Sequence, residues 1–219
     1  LDHQVLVYAM NVGITIDTAM VLPLPVAPGE IDAVILTHAH LDHSGYVPLL
    51  VKNGFKGPVY CSEATRDLCA ILLPDSGYLQ EADADRANRH AYSKHKPALP
   101  LYTEAEARRS LDRFKTVDFG RDTALADGLS FGLSRSGHIL GSAYIEFVLP
   151  EEGRMNHSCG RKVVFSGDLG PSNTPLHVDP QPPEQVDTLV IESTYGNKQH
   201  QPVSQREQHL SSLINRSLK

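Results

Sequence analysis

The sequence predicts a mixed α/β fold, and three observations carry that prediction. Short apolar, often β-branched runs end in polar residues along most of the chain, longer stretches between them carry helix-start signals, and Gly and Pro punctuate the joints. Strands are expected at Val5–Ala9, Ile14–Asp17, Ala33–Thr37, Pro58–Cys61, Leu129–Ser134, Ala143–Leu149, Lys162–Ser166 and Thr188–Glu192. Helices fall between them. One begins near Ser44, a second runs from Ser62 toward Leu72, and two open on capping-box patterns, Thr103 with Glu106 and Ser204 with Glu207. The last of these helices places Leu210, Leu213, Ile214 and Leu218 on one face. An apolar stripe at a terminus needs a partner, so the chain is expected to be truncated at Lys219. The start at Leu1 rather than Met points the same way.

Composition narrows the function classes. A chain of 219 residues is long enough for one large domain or two small ones, and 41% hydrophobic with 21% charged residues excludes disorder along the whole chain. No uncharged apolar run reaches the ~18 residues that cross a bilayer, and the early candidate from Thr18 to Gly29 is interrupted by Pro23, Pro25 and Pro28. No membrane partner is therefore expected. The first cationic residue is Lys52, so the start of the chain lacks the charged n-region of a secretory signal. Cys61, Cys69 and Cys159 are odd in number and form no C-x-x-C pair, which fits reduced, buried thiols and a cytoplasmic location. Charge is uneven. Residues 1–51 hold acids and no Lys or Arg, whereas Arg86 to Lys115 holds eight cations against Glu104, Glu106 and Asp112. With Tyr92, Tyr102 and Phe114 interleaved, that stretch could track a phosphate backbone, although a solvated helical face is the commoner use of such charge.

The chemistry concentrates in Thr37-His38-Ala39-His40-Leu41-Asp42-His43-Ser44-Gly45, directly after an apolar run. In an extended segment His38 and His40 point to the same side, so both imidazoles reach one ion. Asp42 and His43 follow in the turn where a helix begins and project to a second point a few Å away. Two adjacent metals are expected, and imidazole with carboxylate suits zinc better than Mg or Ca, with Mn or Fe admissible by ligand type. One loop supplies too few ligands for two ions. His138, between flanking glycines in Ser136–Ala143, and Asp168, in Ser166-Gly167-Asp168-Leu169-Gly170, are the further candidates at strand ends. The two oxygens of Asp168 can bridge two cations.

These residues resemble the metallo-β-lactamase fold, through H-x-H-x-D-H at positions 38–43, His138 and Asp168. With Glu192-Ser193-Thr194-Tyr195-Gly196 after the last strand, the chain is similar more narrowly to the β-CASP branch, the nucleic-acid-processing nucleases that include ribonuclease J. The resemblance implies an αββα four-layer sandwich, incomplete at the C-terminus. Residues 1–191 would form most of the metallo-β-lactamase domain, and 192–219 the start of a β-CASP domain. It also implies that His38, His40 and His138 hold one zinc, Asp42 and His43 the other, and that Asp168 bridges them. Asp17 takes the place of the family's first Asp, which supports the site from behind the ligands. Thr18 and Ala19 depart there from the family's small residue and Gly. Glu192 would open the β-CASP insertion and orient a later His, and Asp42, Asp168 and Glu192 are the acids assigned to catalysis.

The implied activity is zinc-dependent hydrolysis of RNA phosphodiester bonds, with a water activated between the two ions as nucleophile. RNA is the implied partner, with a homodimer or an RNA-processing complex as candidate assemblies. The His that completes the second zinc and the His that protonates the leaving oxygen are missing from these 219 residues. His200 and His209 follow Glu192 too closely to replace them, so the chain alone is expected to cleave poorly. Two other readings compete: a thioesterase of the glyoxalase II type on the same ligand scaffold, and a noncatalytic scaffold subunit of an RNA-processing complex.

Overall fold

Alternation along the short strands sends side chains into two separate cores. In Ala33–Leu36 (β2), Val34 and Leu36 enter one apolar cluster and Ile35 enters another, so the strand is buried on both faces as parallel strands usually are. The computed structural model describes residues 5–8, 26–125, 128–150, 160–199 and 202–218. The expected strand Ile14–Asp17, and Asp17 with it, lies outside the described residues.

Val5–Tyr8 (β1), β2, Val59–Cys61 (β3) and Phe114–Thr116 (β4) form a parallel sheet in that order. Thr123–Ala124 (β5), Ser130–Arg135 (β6), Ala143–Leu149 (β7) and Arg161–Phe165 (β8) form an antiparallel sheet, to which Thr188–Val190 (β9) adds in parallel. The sheets meet over Ile35, Tyr60, Phe131, Leu133, Ile145 and Phe147, with the Tyr60 and Phe131 rings 5.3 Å apart. The other face of the first sheet is covered by Leu41–Ser44 (α1), Val47–Lys52 (α2), Glu63–His90 (α3) and Glu104–Ser110 (α4), which supply Leu50, Cys69, Leu73 and Ala107 to the cluster that holds Val34 and Leu36. Helix, sheet and sheet are thus three of the four expected layers. Val203–Ser217 (α5) follows the second sheet, and its described side chains are exposed, including Leu210, Leu213 and Ile214.

Local signals are obeyed where their hydrogen bonds form. Thr103 and Glu106 close a complete capping box on α4. The box expected at Ser204 does not form, because α5 starts one residue earlier, at Val203, behind Pro202 with no side-chain cap. The helix expected to end near Leu72 continues to His90, passing through Pro74, because tertiary packing overrides the proline penalty. Pro74, Ser76, Gly77 and Gln80 are all buried, and Gly77 lies so close to Glu104 that a Cβ there would meet its backbone nitrogen at 2.7 Å. The strands β4 and β5 were not expected; at three and two residues they carry too little pattern to be read.

The structure also disperses the basic stretch. Tyr102 is buried and its hydroxyl donates to Ser76 Oγ at 2.9 Å, and Phe114 packs against the helical core. Arg108 pairs with Glu104, and Arg113 donates to the Lys56 carbonyl. Of the interleaved aromatics, Tyr92 alone stays exposed. Among the described residues no helix is long and apolar enough to cross a membrane. Cys61 and Cys69 are buried free thiols, and Cys159 lies outside the described residues.

Candidate metal centre

Three loops that leave the sheets at one end carry the candidate ligands. The first leaves β2 and enters α1, with His40 as the extended N-cap residue whose carbonyl accepts from the His43 and Ser44 amides. Ser44 Oγ donates back to the Ala39 and His40 carbonyls, which closes the turn. The second joins β6 to β7. Ser142 Oγ accepts from the His138 and Ile139 amides, while Ser62 and Thr65 at the start of α3 both donate to the Gly141 carbonyl. The third follows β8. Gly167 there has φ +54°, and a Cβ on it would meet the Thr37 side chain at 2.7 Å, so glycine answers both the backbone conformation and the close approach.

Backbone bonds fasten these loops to one another. The Ala143 amide donates to the Thr37 carbonyl at 2.8 Å, and the Gly170 amide donates to the Ser136 carbonyl at 2.8 Å. His38, His40, His138 and Asp168 consequently converge, with one donor atom from each lying within 4.8 Å of all the others. His38 Nε2 and His138 Nε2 stand 3.1 and 3.2 Å from His40 Nδ1. Tetrahedral zinc bonded at ~2.0–2.1 Å sets its nitrogen ligands about 3.3 Å apart, so these separations fit such an ion.

Asp168 faces two ways. Its Oδ2 lies 3.4 Å from His138 Nε2 and 3.9 Å from His38 Nε2, whereas its Oδ1 lies 3.3 Å from His43 Nε2. Asp42 Oδ2 is 3.6 Å from the same His43 nitrogen. His38, His40, His138 and Asp168 thus form one donor group, and His43, with Asp42 beside it, faces the other oxygen of the same carboxylate. His209 sits exposed on α5.

Protonation suits cation binding. Burial, followed by the imidazoles of His43, His40 and His138, holds the His38 pKa down at about 2, so this ring is a neutral ligand at ordinary pH. Burial also lowers His138, against the opposing pull of Asp168. Thr37, immediately before the first His of the motif, is completely buried. Its Oγ1 lies 3.1 Å from His38 Nδ1 and 3.5 Å from His43 Nδ1, which leaves both Nε2 atoms facing the candidate ion positions. A hydroxyl beside a ligand has no spacing signature, so only the fold reveals it. Glu192 reaches this region through its carboxylate, which accepts from the Leu169 amide at 2.6 Å. A cavity of about 410 Å³ opens on the His43 side, lined by Asp168, Ile191, Glu192, Ser193 and Thr194 among others.

Residues 13–126, just over half the chain, match the family described as the metallo-beta-lactamase superfamily. The chain belongs to that superfamily. It is 31% identical over 196 residues to "Ribonuclease TTHA0252" of Thermus thermophilus, covering 90% of this chain and 39% of that protein. It is 36% identical over 193 residues to "Transcription termination factor FttA" of Methanosarcina mazei, covering 86% of this chain and 27% of that protein. Identity to "Endoribonuclease ysh1" of Schizosaccharomyces pombe is 29% over 191 residues, covering 86% of this chain and 22% of that protein. The chain thus spans well under half the length of these superfamily relatives.

Proposed function

We propose that this chain is the front part of a β-CASP-branch nuclease that hydrolyses RNA phosphodiester bonds with two zinc ions. In this reading residues 1–191 form most of the metallo-β-lactamase domain and 192–219 begin the β-CASP domain. His38, His40 and His138 would hold one ion, Asp42 and His43 the other, and Asp168 both. Asp17 would support them from outside the ligand set. Mn or Fe fit the same donors. The observation that carries the reading is the placing of Asp168 between two donor groups, Oδ2 toward His138 and Oδ1 toward His43. Relatives named ribonuclease and endoribonuclease support RNA as the substrate.

Bound divalent ions supply Lewis acidity toward a phosphoryl oxygen and a water acidified toward neutral pH. The protein's own part is positional. Thr37 orients two imidazoles, the neutral His38 offers its lone pair without first losing a proton, and the cavity beside His43 and Asp168 admits substrate next to the donors. The long α3–α4 segment and the Glu192–Gly196 run favour a nucleic acid over a small thioester. Zinc-loaded protein should therefore hydrolyse a labelled RNA, slowly in this chain alone, and leave a glutathione thioester untouched. The reverse preference would overturn the substrate class, and absence of bound metal would return the scaffold reading.

A further inference from the structure

We propose that Glu192 is a positioning residue that latches the Asp168 loop, acting as a hydrogen-bond acceptor rather than through its charge. Its backbone and side chain straddle Asp168. The Glu192 amide donates to Ser166 Oγ at 3.0 Å, two residues before Asp168, and its Oε1 accepts from the Leu169 amide at 2.6 Å, one residue after it. Ser166 Oγ in turn donates to the Gly167 carbonyl at 2.7 Å, and the Ser166 amide donates to the Val190 carbonyl at 2.9 Å. The end of β9 therefore holds the loop on both sides of the carboxylate that faces both donor groups. On the far side the Gly170 amide ties the loop to the Ser136 carbonyl at 2.8 Å. Removing the Glu192 acceptor leaves the segment from Asp168 to Gly170 with one fewer fixed amide, next to an open cavity.

Partners of this kind, one bond removed from a metal ligand, typically change metal affinity by about 10–100-fold when lost. The latch differs from the role the family resemblance implies for Glu192, the orientation of a distant His, because a neutral amide oxygen at the same place would serve. It rests on the reading of His38, His40, His138 and Asp168 as a metal centre.

The test compares the wild-type chain with Glu192→Gln, Glu192→Ala and Glu192→Asp. Hydrogen exchange of the Leu169 amide is followed in metal-free protein, and zinc affinity by competition with a chromophoric chelator. Gln keeps the acceptor and should hold both readouts within about threefold of wild type, as expected for a neutral in place of a charge-assisted acceptor. Ala should speed Leu169 exchange and weaken zinc about tenfold or more. Asp keeps the charge but is one methylene short, and should resemble Ala. Equal Leu169 exchange in all four proteins, or Asp outperforming Gln, overturns the latch. A wild-type chain that binds no zinc overturns the metal-centre reading, a result separate from the exchange measurement.

Discussion

His40 presents Nδ1 to both His38 and His138, at 3.1 and 3.2 Å. The His40→Ala substitution deletes the atom that both partners face, and is expected to abolish stoichiometric zinc and any phosphodiesterase activity. Metal analysis beside an RNA cleavage assay checks this; two retained ions and an undiminished rate would refute the ligand assignment. His38 makes a different prediction, about stability. Its folded pKa of about 2 lies below the ~6.5 of an unfolded chain. Between those values the unfolded state binds more protons, so the stabilisation present above pH 6.5 is lost as pH falls. Metal-free protein should lose about 2 kcal/mol between pH 6.5 and pH 5 on this account, read as a falling denaturant midpoint. A His38→Asn variant should show a shallower slope over the same window.

Among the elements, the β6–β7 and β8–β9 loops depend on each other's backbone. A Cβ on Gly170 would run into the Gly137 carbonyl oxygen and approach the His138 amide nitrogen to 2.6 Å. Neither obstacle is the end of a flexible side chain, so Gly170→Ala must push the two loops apart. Overpacking of this kind costs ~1–3 kcal/mol, and here it falls on the joint that sets His138 against Asp168. Reduced thermal stability together with weaker zinc binding is the expected result. A variant with wild-type zinc affinity would show that the loops tolerate separation. The length of α3 follows the same logic: Pro74 lacks an amide hydrogen, yet buried contacts on both sides of it keep the helix continuous.

For the molecule as a whole, stability should come from the two cores and not from α5. Leu133 is fully buried between the sheets, whereas Leu213 on α5 is 40% exposed. Leu133→Ala should cost ~2–5 kcal/mol, while Leu213→Ser should change stability by less than ~0.5 kcal/mol. Comparable losses in chemical denaturation would mean that α5 packs against the body. The sequence by itself determined the α/β alternation, most strand positions and the Thr103 cap, and it singled out six residues as metal-ligand candidates, since these depend on residue type and short-range period. It missed β4 and β5 and ended α3 early, because a strand of two or three residues has no period to read and a proline's effect is set by packing. Only the tertiary structure decided that Asp168 turns one oxygen to each donor group, that Thr37 orients two rings, and that Glu192 holds Leu169. Those relations run through hydrogen bonds and interleaved cores between segments remote in the chain, and local propensity carries no record of them.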